Sequence, residues 1–223
     1  MKKGRKTIFF GVVFMAAFTL WTVLVTSVDV TGAGVNGTDI GLSFLNLWFF
    51  QLTGVNLTFY TITDWLGLVP VAVCIIFGAT GFVQMIKRRS LLRVDVDILI
   101  LGVYYILVIA GYLLFEMYPV NYRPILINGY MEASYPSSTT LLVLSVMPTL
   151  AEQVKRRVKN SLCKRLIRVC SFVFMVVMVS FRLVSGVHWF SDIAGGVLLS
   201  TGLYCVYKGA VTVCLSDKYK GRK

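Results

Sequence analysis

The sequence predicts an all-α membrane protein: a six-transmembrane-helix bundle with both termini cytoplasmic and a candidate active site at the outer face. Of its 223 residues, 57% are hydrophobic and 14% are charged, which is too apolar for a soluble domain of this length. Several apolar runs are long enough to cross a hydrocarbon core of about 30 Å. Basic residues cluster beside alternate runs, as they do on the inner side of membranes. We therefore expect one multi-pass domain over residues 1–223 in the cell membrane.

Five spans can be read directly from the apolar runs, at residues 8–28, 65–86, 98–118, 167–183 and 190–214. The first run follows a basic N-terminus, as in a signal peptide, and residues 32–37 could contain a cleavage site. It continues for longer than a usual signal core, so we expect it to be retained as a helix. A further span, residues 136–151, is fourth in chain order, is shorter and begins with polar residues. This pattern is typical of a helix whose first turn opens into an aqueous site.

The charge distribution fixes the predicted orientation. Four clusters, at residues 2–6, 87–93, 155–168 and 208–223, hold 20 of the 22 Lys and Arg, and the six spans place all four on the inner side. The net charge of +12 therefore indicates topology, and we expect membrane lipids as neighbours and no nucleic-acid partner. Arg123 and Arg182 are the two exceptions, since both fall on the outer side.

The segment between the first two spans has two interpretations. Residues 40–62 are aromatic and apolar, with polar interruptions such as Asn46, Gln51 and Asn56. A seventh span here would move a basic cluster to the outer side. An interfacial helix on the outer surface, anchored by aromatic residues such as Trp48 and Phe49, is favoured over a seventh span.

Three outer segments, residues 116–124, 135–140 and 182–192, contain most of the polar residues capable of chemistry. In the third segment His188 and Asp192 are four residues apart, so on a helix they share one face and the carboxylate can accept the imidazole N–H. The other ring nitrogen is then free to act as a base or nucleophile. Gly186 would allow a tight turn before His188.

The remaining outer residues favour a tetrahedral anion as the ligand. Arginine binds phosphate oxygens in a bidentate manner, which fits Arg123 and Arg182. Ser137, Ser138 and Thr139 follow a proline at the start of the fourth span, where hydroxyls and unpaired backbone N–H groups form a natural anion site. The cysteines have no metal-site spacing, and no metal or other cofactor is expected.

These segments resemble the three motifs of the type 2 phosphatidic acid phosphatase family, K-x6-R-P, P-S-G-H and S-R-x5-H-x3-D. Here they read Glu116-x6-Arg123-Pro124, then residues 136–139 as P-S-S-T, then residues 181–192 as F-R-x5-H-x3-D. The resemblance implies a metal-independent phosphatase in which His188 attacks phosphorus and Asp192 orients it. Arg123, Arg182, Ser137 and, by position, Ser138 and Thr139 would hold the phosphoryl group of a lipid phosphate or diphosphate.

Two departures from the family pattern bear on the reaction. Glu116 stands at the position of the family's lysine, and Thr139 stands at that of its general-acid histidine. General acid catalysis contributes about 10²–10⁴-fold, and its loss hinders departure of an alkoxide more than departure of a phosphate. The sequence therefore predicts a preference for a polyprenyl diphosphate, with Glu116, Glu132 or Tyr135 as a substitute proton source.

Two other functions remain open. A catalytically silent lipid-phosphate-binding protein would keep the arginines and lose turnover, and a lipid phosphotransferase would pass the phosphoryl group from His188 to another lipid. A transporter is disfavoured, because the ionisable residues lie at one surface and provide no relay through the midplane. The oligomeric state is left open.

Overall fold

The computed structural model describes residues 1–220, with side chains described as far as Ser216; Arg222 and Lys223 of the basic tail lie outside the described residues. Eight α-helices and two 3-10 turns make up this part of the chain, and it contains no β-strand beyond isolated bridges. The helices are α1 (Lys2–Ser27), α2 (Ser43–Thr53), α3 (Leu57–Leu66), α4 (Leu68–Arg88), α5 (Val96–Met117), α6 (Ser138–Arg157), α7 (Ser161–Val184) and α8 (Phe190–Lys220). The all-helical prediction is confirmed.

Five helical stretches of the described chain are long and apolar enough to cross a membrane: Lys2–Ser27, Leu57–Arg88, Val96–Met117, Ser161–Val184 and Phe190–Ser216. Only 17–33% of the most apolar window of each is buried inside the protein, so most of their surface is left to face lipid. The chain is therefore a multi-pass membrane protein. Basic residues occupy the last turn of α4 and of α6. Positive charges are well hydrated there and interact favourably with the negative end of the helix dipole.

The helix α6 differs from these five because protein, not lipid, surrounds much of it. It packs along α7 and α8 and also touches α4 and α5. Polar residues such as Ser145, Thr149 and Gln153 are fully buried there. Its 20 residues correspond to about 30 Å of helix. A helix in such a central position has no need of an apolar surface, which explains its low hydropathy.

The most extensive helix–helix packing in the described chain is between α1 and α8, which run side by side. Glycines make this close approach possible: a Cβ atom on Gly11 would lie 2.8 Å from the backbone nitrogen of Val206, and one on Gly209 would lie 2.9 Å from that of Ile8. The α1 helix thereby reaches the start of α8, where the Trp21 indole donates to the Ser191 carbonyl at 3.0 Å.

The segment 40–62, expected to lie at the interface, forms α2 and the first part of α3. With 11 residues, α2 spans about 16 Å, which is too short to cross a bilayer. It packs on the start of α8, where Phe49 contacts Phe190, while α3 packs on α7 through Phe59 and Phe181. Whether this segment lies along the membrane surface stays a prediction, but its two helices cover one end of the bundle.

Successive long helices reverse direction, so one end of the bundle collects the ends of α5 and α7 and the starts of α6 and α8. We call this the His188 end. At the opposite end, which we call the Arg157 end, α4 and α6 finish. All three segments singled out for chemistry belong to the His188 end.

Candidate active site

His188 lies in the turn between α7 and α8. The expectation that it sits on the helix with Asp192 is wrong, because α8 begins at Phe190 and His188 precedes its first turn. The turn requires Gly186, whose φ of 69° is left-handed and whose missing Cβ leaves room for the backbone of Gly54. This turn carries the imidazole back toward the start of α6, where it is 3% exposed.

Hydrogen bonding selects one tautomer of His188. The Nδ1 atom lies 3.1 Å from the carbonyl oxygen of Ser134, and since a carbonyl can only accept, Nδ1 carries the proton. The Nε2 atom is then unprotonated, and it is buried with no hydrogen-bond partner among the described residues. A buried nitrogen lone pair without a partner is costly for a fold, so its presence points to a ligand.

Asp192 supports this turn in a way that differs from the prediction. One carboxylate oxygen, Oδ2, accepts from the backbone N–H of Trp189 at 2.9 Å, as an acidic residue in a first helical turn does when it caps the helix start. The other, Oδ1, accepts from Asn121 at 3.3 Å. The distance from Oδ2 to the His188 Nδ1 is 3.6 Å, so the imidazole N–H is donated to Ser134 and not to Asp192. The fully buried carboxyl group therefore lies behind the ring and holds the start of α8 without accepting the imidazole proton.

The electrostatic surroundings favour neutral His188. Burial, followed by the positive charges of Arg123 and Arg182, lowers the pKa of His188 well below 6.5. The imidazole is therefore neutral at neutral pH, and Nε2 offers a lone pair and not a proton. These are the requirements for a nucleophile.

The two arginines meet across one aromatic ring, that of Tyr60 in α3. The guanidinium carbons of Arg182 and Arg123 lie 4.9 Å and 5.9 Å from its centroid. Arg182 is 2% exposed and donates from Nη1 to the Thr63 hydroxyl at 3.1 Å. The Nε of Arg123 lies 3.0 Å from a Glu132 carboxylate oxygen, at an angle too poor for a hydrogen bond.

Several guanidinium donors are left over. Nε of Arg182, and Nε and Nη1 of Arg123, are buried without a hydrogen-bond partner among the described residues. The positive charge of Arg123 acts on Arg182, and Glu132 is the carboxylate nearest to Arg123, so the buried guanidinium groups retain donors that an anionic ligand could use. The pair therefore fits a multiply charged oxyanion.

A cavity of about 230 Å³ opens beside these groups and has a mostly polar wall. Its lining includes His188, Arg123 and Ser138 together with two carboxylates, Glu116 and Glu132. The predicted site residues are thus partly brought together. Asp192 and Arg182 do not line the cavity: Asp192 lies behind His188, and Arg182 stacks on Tyr60, close enough for its charge to act on His188.

Besides Arg182, two more predicted phosphate-binding residues, Ser137 and Thr139, do not line this cavity. Ser137 is fully buried as the N-cap of α6, where its hydroxyl accepts from the Thr140 N–H at 3.5 Å. Thr139 lines a neighbouring, mostly apolar cavity of about 370 Å³, in which Ser138 and Tyr112 form a shared wall. Successive residues of a first helical turn point in different directions, which the motif spacing does not reveal.

Sequence reasoning missed the residues that hold the site together. Ser134 fixes the histidine tautomer, Asn121 holds Asp192, and Thr63 and Tyr60 support Arg182. Asn46, fully buried on α2, accepts from the Ser191 N–H at 3.0 Å. Asn46 was visible as a polar interruption in an apolar segment. The others had no pattern that could separate them from ordinary loop or helix polar residues.

The proton sources suggested for the leaving group differ in their surroundings. Tyr135 is 2% exposed and its hydroxyl is paired with the Thr22 hydroxyl of α1 at 2.7 Å, while burial raises its pKa. It is therefore poorly suited to give up a proton. Glu116 and Glu132 both line the cavity. No cluster of three His, Cys, Asp or Glu side chains suited to a metal ion occurs within the described residues.

Comparison with known proteins gave a family match and a similar fold. The model of the PAP2 superfamily matches residues 97–213, which cover most of the stretch from α5 to α8 and every residue lining the His188 cavity. The fold is similar to the crystal structure of the first transmembrane PAP2 type phosphatidylglycerolphosphate phosphatase from Bacillus subtilis. That similarity has a TM-score of 0.52 at 19% sequence identity and covers 95% of this chain and 97% of the other. No significant match was found among curated proteins.

Proposed function

This chain belongs to the PAP2 superfamily, and we propose that it is a membrane lipid phosphatase that hydrolyses a lipid phosphate or polyprenyl diphosphate through a phosphohistidine on His188. One observation carries the proposal. The unprotonated Nε2 of His188 is buried without a partner at a cavity whose wall also includes Arg123. Arg182, with a further free donor, faces the same tyrosine ring as Arg123.

In the first step the His188 Nε2 lone pair forms a bond to phosphorus and the bond from phosphorus to the leaving oxygen breaks. The equatorial oxygens would accept from the free donors of Arg123 and Arg182. The ring becomes positively charged, and the Ser134 carbonyl and the Asp192 carboxylate, 3.6 Å from Nδ1, stabilise that charge. Water then attacks the phosphohistidine, releasing inorganic phosphate and restoring the Nε2 lone pair.

The leaving group decides the substrate. A lipid alkoxide needs a proton as it departs, whereas a lipid monophosphate leaving from a diphosphate does not. Thr139 has no acidic proton to give, and it lines the neighbouring cavity. We therefore infer a preference for a polyprenyl diphosphate, with Glu116 or Glu132 as the nearest candidate acids. Equal or faster phosphate release from phosphatidic acid than from an isoprenoid diphosphate, in purified protein, would contradict this preference.

We further propose that α6 also crosses the membrane, which makes six crossings in all, that both termini are cytoplasmic and that the His188 end faces outward. The distribution of basic residues supports this orientation, as does the length of α6. A C-terminal tag should be cleaved by added protease in inverted vesicles and protected in intact cells. Protection in inverted vesicles would reverse the assignment.

The decisive experiment is a comparison of the parent chain with His188→Ala. We expect phosphate release from an isoprenoid diphosphate to fall by at least about 10³-fold, because the nucleophile is lost. Acid-labile, base-stable ³²P on the parent and none on the variant would identify the intermediate. Label recovered in a second lipid, and not in water, would select the phosphotransferase.

A silent lipid-phosphate-binding protein is the second candidate, and one observation favours it. The Glu132 carboxylate lies 3.0 Å from Arg123, where a substrate phosphate would otherwise pair. This candidate predicts no turnover in the parent and undiminished binding of the diphosphate lipid. Turnover that depends on His188 would exclude it.

A further inference from the structure

A groove between α7 and α8 at the Arg157 end lies far along the bundle from His188 and shares no lining residue with the His188 cavity. We propose that it is a non-catalytic binding site for an anionic phospholipid, whose phosphate lies against Lys155 and Arg168 and whose acyl chain lies along α7. A lipid bound there would come from the surrounding bilayer, and its binding does not depend on the reaction at His188.

The packing of three helices creates the groove. The α6 helix packs along both α7 and α8, whereas α7 and α8 touch each other only briefly. The α6 helix thus forms the floor and the other two form the walls. The space between them measures about 380 Å³ and has nearly equal polar and apolar surface. An amphipathic molecule fits such a cavity better than a wholly polar or wholly apolar one.

The polar half of the groove carries excess positive charge. Lys155, Arg168 and Lys208 come from α6, α7 and α8, and one carboxylate, Glu152, accompanies them. Glu152 pairs with Lys208 at 2.9 Å. Neither Lys155 nor Arg168 forms an ion pair with any side chain that the structure describes, and both are exposed. Two unpaired cations on adjacent helices match one phosphodiester.

The apolar half continues toward the middle of the membrane. Phe172 and Met175 line this cavity and also a second, almost wholly apolar cavity of about 300 Å³, which Val176 and Val179 extend along α7. From Arg168 to Ser180 the helix rises by about 18 Å, slightly more than half of a bilayer core of about 30 Å. One acyl chain of a lipid in the adjacent leaflet can therefore follow α7 while its phosphate reaches Arg168.

This combination separates the groove from the other basic residues at the Arg157 end. Lys159 and Arg165 belong to the same basic cluster and are also exposed, yet neither lines the groove or its apolar extension. They fit the ordinary inner-side excess of positive charge. A soluble phosphate or a nucleic acid would use the cations but leave the apolar extension empty, so a lipid is the ligand that uses the whole groove.

The test is lipid binding by the purified full-length protein in phosphatidylcholine nanodiscs with and without phosphatidylglycerol, read by native mass spectrometry and by an apparent Kd. A basic residue that contacts the phosphate of an anionic lipid contributes about fivefold in affinity. The double variant Lys155→Gln, Arg168→Gln should therefore weaken phosphatidylglycerol binding about thirtyfold. The matched control Lys159→Gln, Arg165→Gln removes the same charge outside the groove, so binding of the lipid in the groove predicts a change in Kd of less than about twofold.

A third variant, Val176→Trp, fills the apolar extension and should weaken binding while leaving both cations in place. Equal weakening by the control pair would overturn the proposal, because surface charge alone would then explain binding. Undiminished binding by Val176→Trp would also overturn it. Competition by inorganic phosphate as effective as that by the lipid would assign the groove to a soluble ligand instead.

Discussion

The two ends of the bundle bury similar polar groups with opposite outcomes. At the Arg157 end, Gln153 is fully buried and donates to the Tyr207 hydroxyl at 3.2 Å, while its oxygen accepts from Arg157. Arg157 also pairs with Asp97 at 2.8 Å. At the His188 end, by contrast, the buried imidazole and both arginines keep nitrogen atoms without a hydrogen-bond partner among the described residues.

The pKa shifts at the two ends of the bundle also differ in their effect on charge. At the Arg157 end a hydrogen bond from Arg88 lowers the pKa of Asp95, which favours the charged carboxylate beside its partner. At the His188 end burial and two arginines lower the pKa of His188, which favours the uncharged ring. Satisfied ionic groups stabilise a fold, whereas unsatisfied groups beside a cavity are available to a ligand. The comparison therefore separates structural from functional polar residues without reference to motifs.

The largest expected contrast compares an arginine from each end. Arg182→Gln should lower kcat/KM for an isoprenoid diphosphate by about 10²–10³-fold, because it removes a buried cation that meets developing negative charge. Arg88→Gln breaks an ion pair with Asp95 whose side chains are 42% and 41% exposed, and should leave kcat/KM unchanged. Steady-state phosphate release in matched detergent measures both. A comparable loss from Arg88→Gln would remove the functional meaning of the contrast.

A second prediction concerns a residue at the Arg157 end whose loss should affect stability and not activity. Gln153→Leu leaves the Tyr207 hydroxyl and part of Arg157 unsatisfied, and should lower the free energy of unfolding by about 1–3 kcal/mol. Because Gln153 lies at the Arg157 end, kcat/KM below the unfolding temperature should stay within about twofold of the parent. Thermal unfolding followed alongside phosphate release distinguishes the two effects. Loss of turnover without loss of stability would show that this network acts on the site.

Most of the fold was predictable because lipid imposes long apolar runs on the helices that face it. The predicted span 98–118 and the observed α5, Val96–Met117, differ by only one or two residues at each end. The helix α6 was harder to delimit: it runs to Arg157, well past the predicted end at residue 151. Its interior contains buried polar residues such as Thr149 and Gln153 and its last turn is exposed and basic, so no apolar run indicates where the helix stops.

The site was only partly predictable for a related reason. Chain spacing correctly indicated that Arg123, His188 and Glu116 share one end, because loops on one side of a bundle converge. It could not indicate that Asp192 would cap α8 while the Ser134 carbonyl accepted the hydrogen bond from the imidazole Nδ1–H, since both acceptors lie near the same ring nitrogen. Contacts from α3, such as Thr63, join residues more than a hundred positions apart and leave no local pattern.

A third test measures the histidine directly. His188 is the only histidine in the sequence, so selective isotope labelling gives a single imidazole signal. At pH 6.5, where a free histidine is half protonated, we expect His188 to be mostly neutral, and its protonation to occur well below that pH. The acid limb of kcat/KM should show no step near pH 6.5 from this residue. Half protonation at pH 6.5 would indicate that burial and the arginine charges do not act on it.

The smallest expected effect tests whether the hydrogen bond between Arg182 and Thr63 positions the arginine for catalysis. Thr63 is fully buried, accepts from Arg182 at 3.1 Å and has the shape of valine. Thr63→Val removes that acceptor with little change in volume, so Arg182 loses its anchor and kcat/KM should fall about 3–10-fold. Thr63→Ser keeps the hydroxyl and should restore most of the activity, although it leaves a small void. A purely packing role reverses this order, with valine active and serine impaired, so the pair of variants decides whether Thr63 positions the arginine or merely fills space.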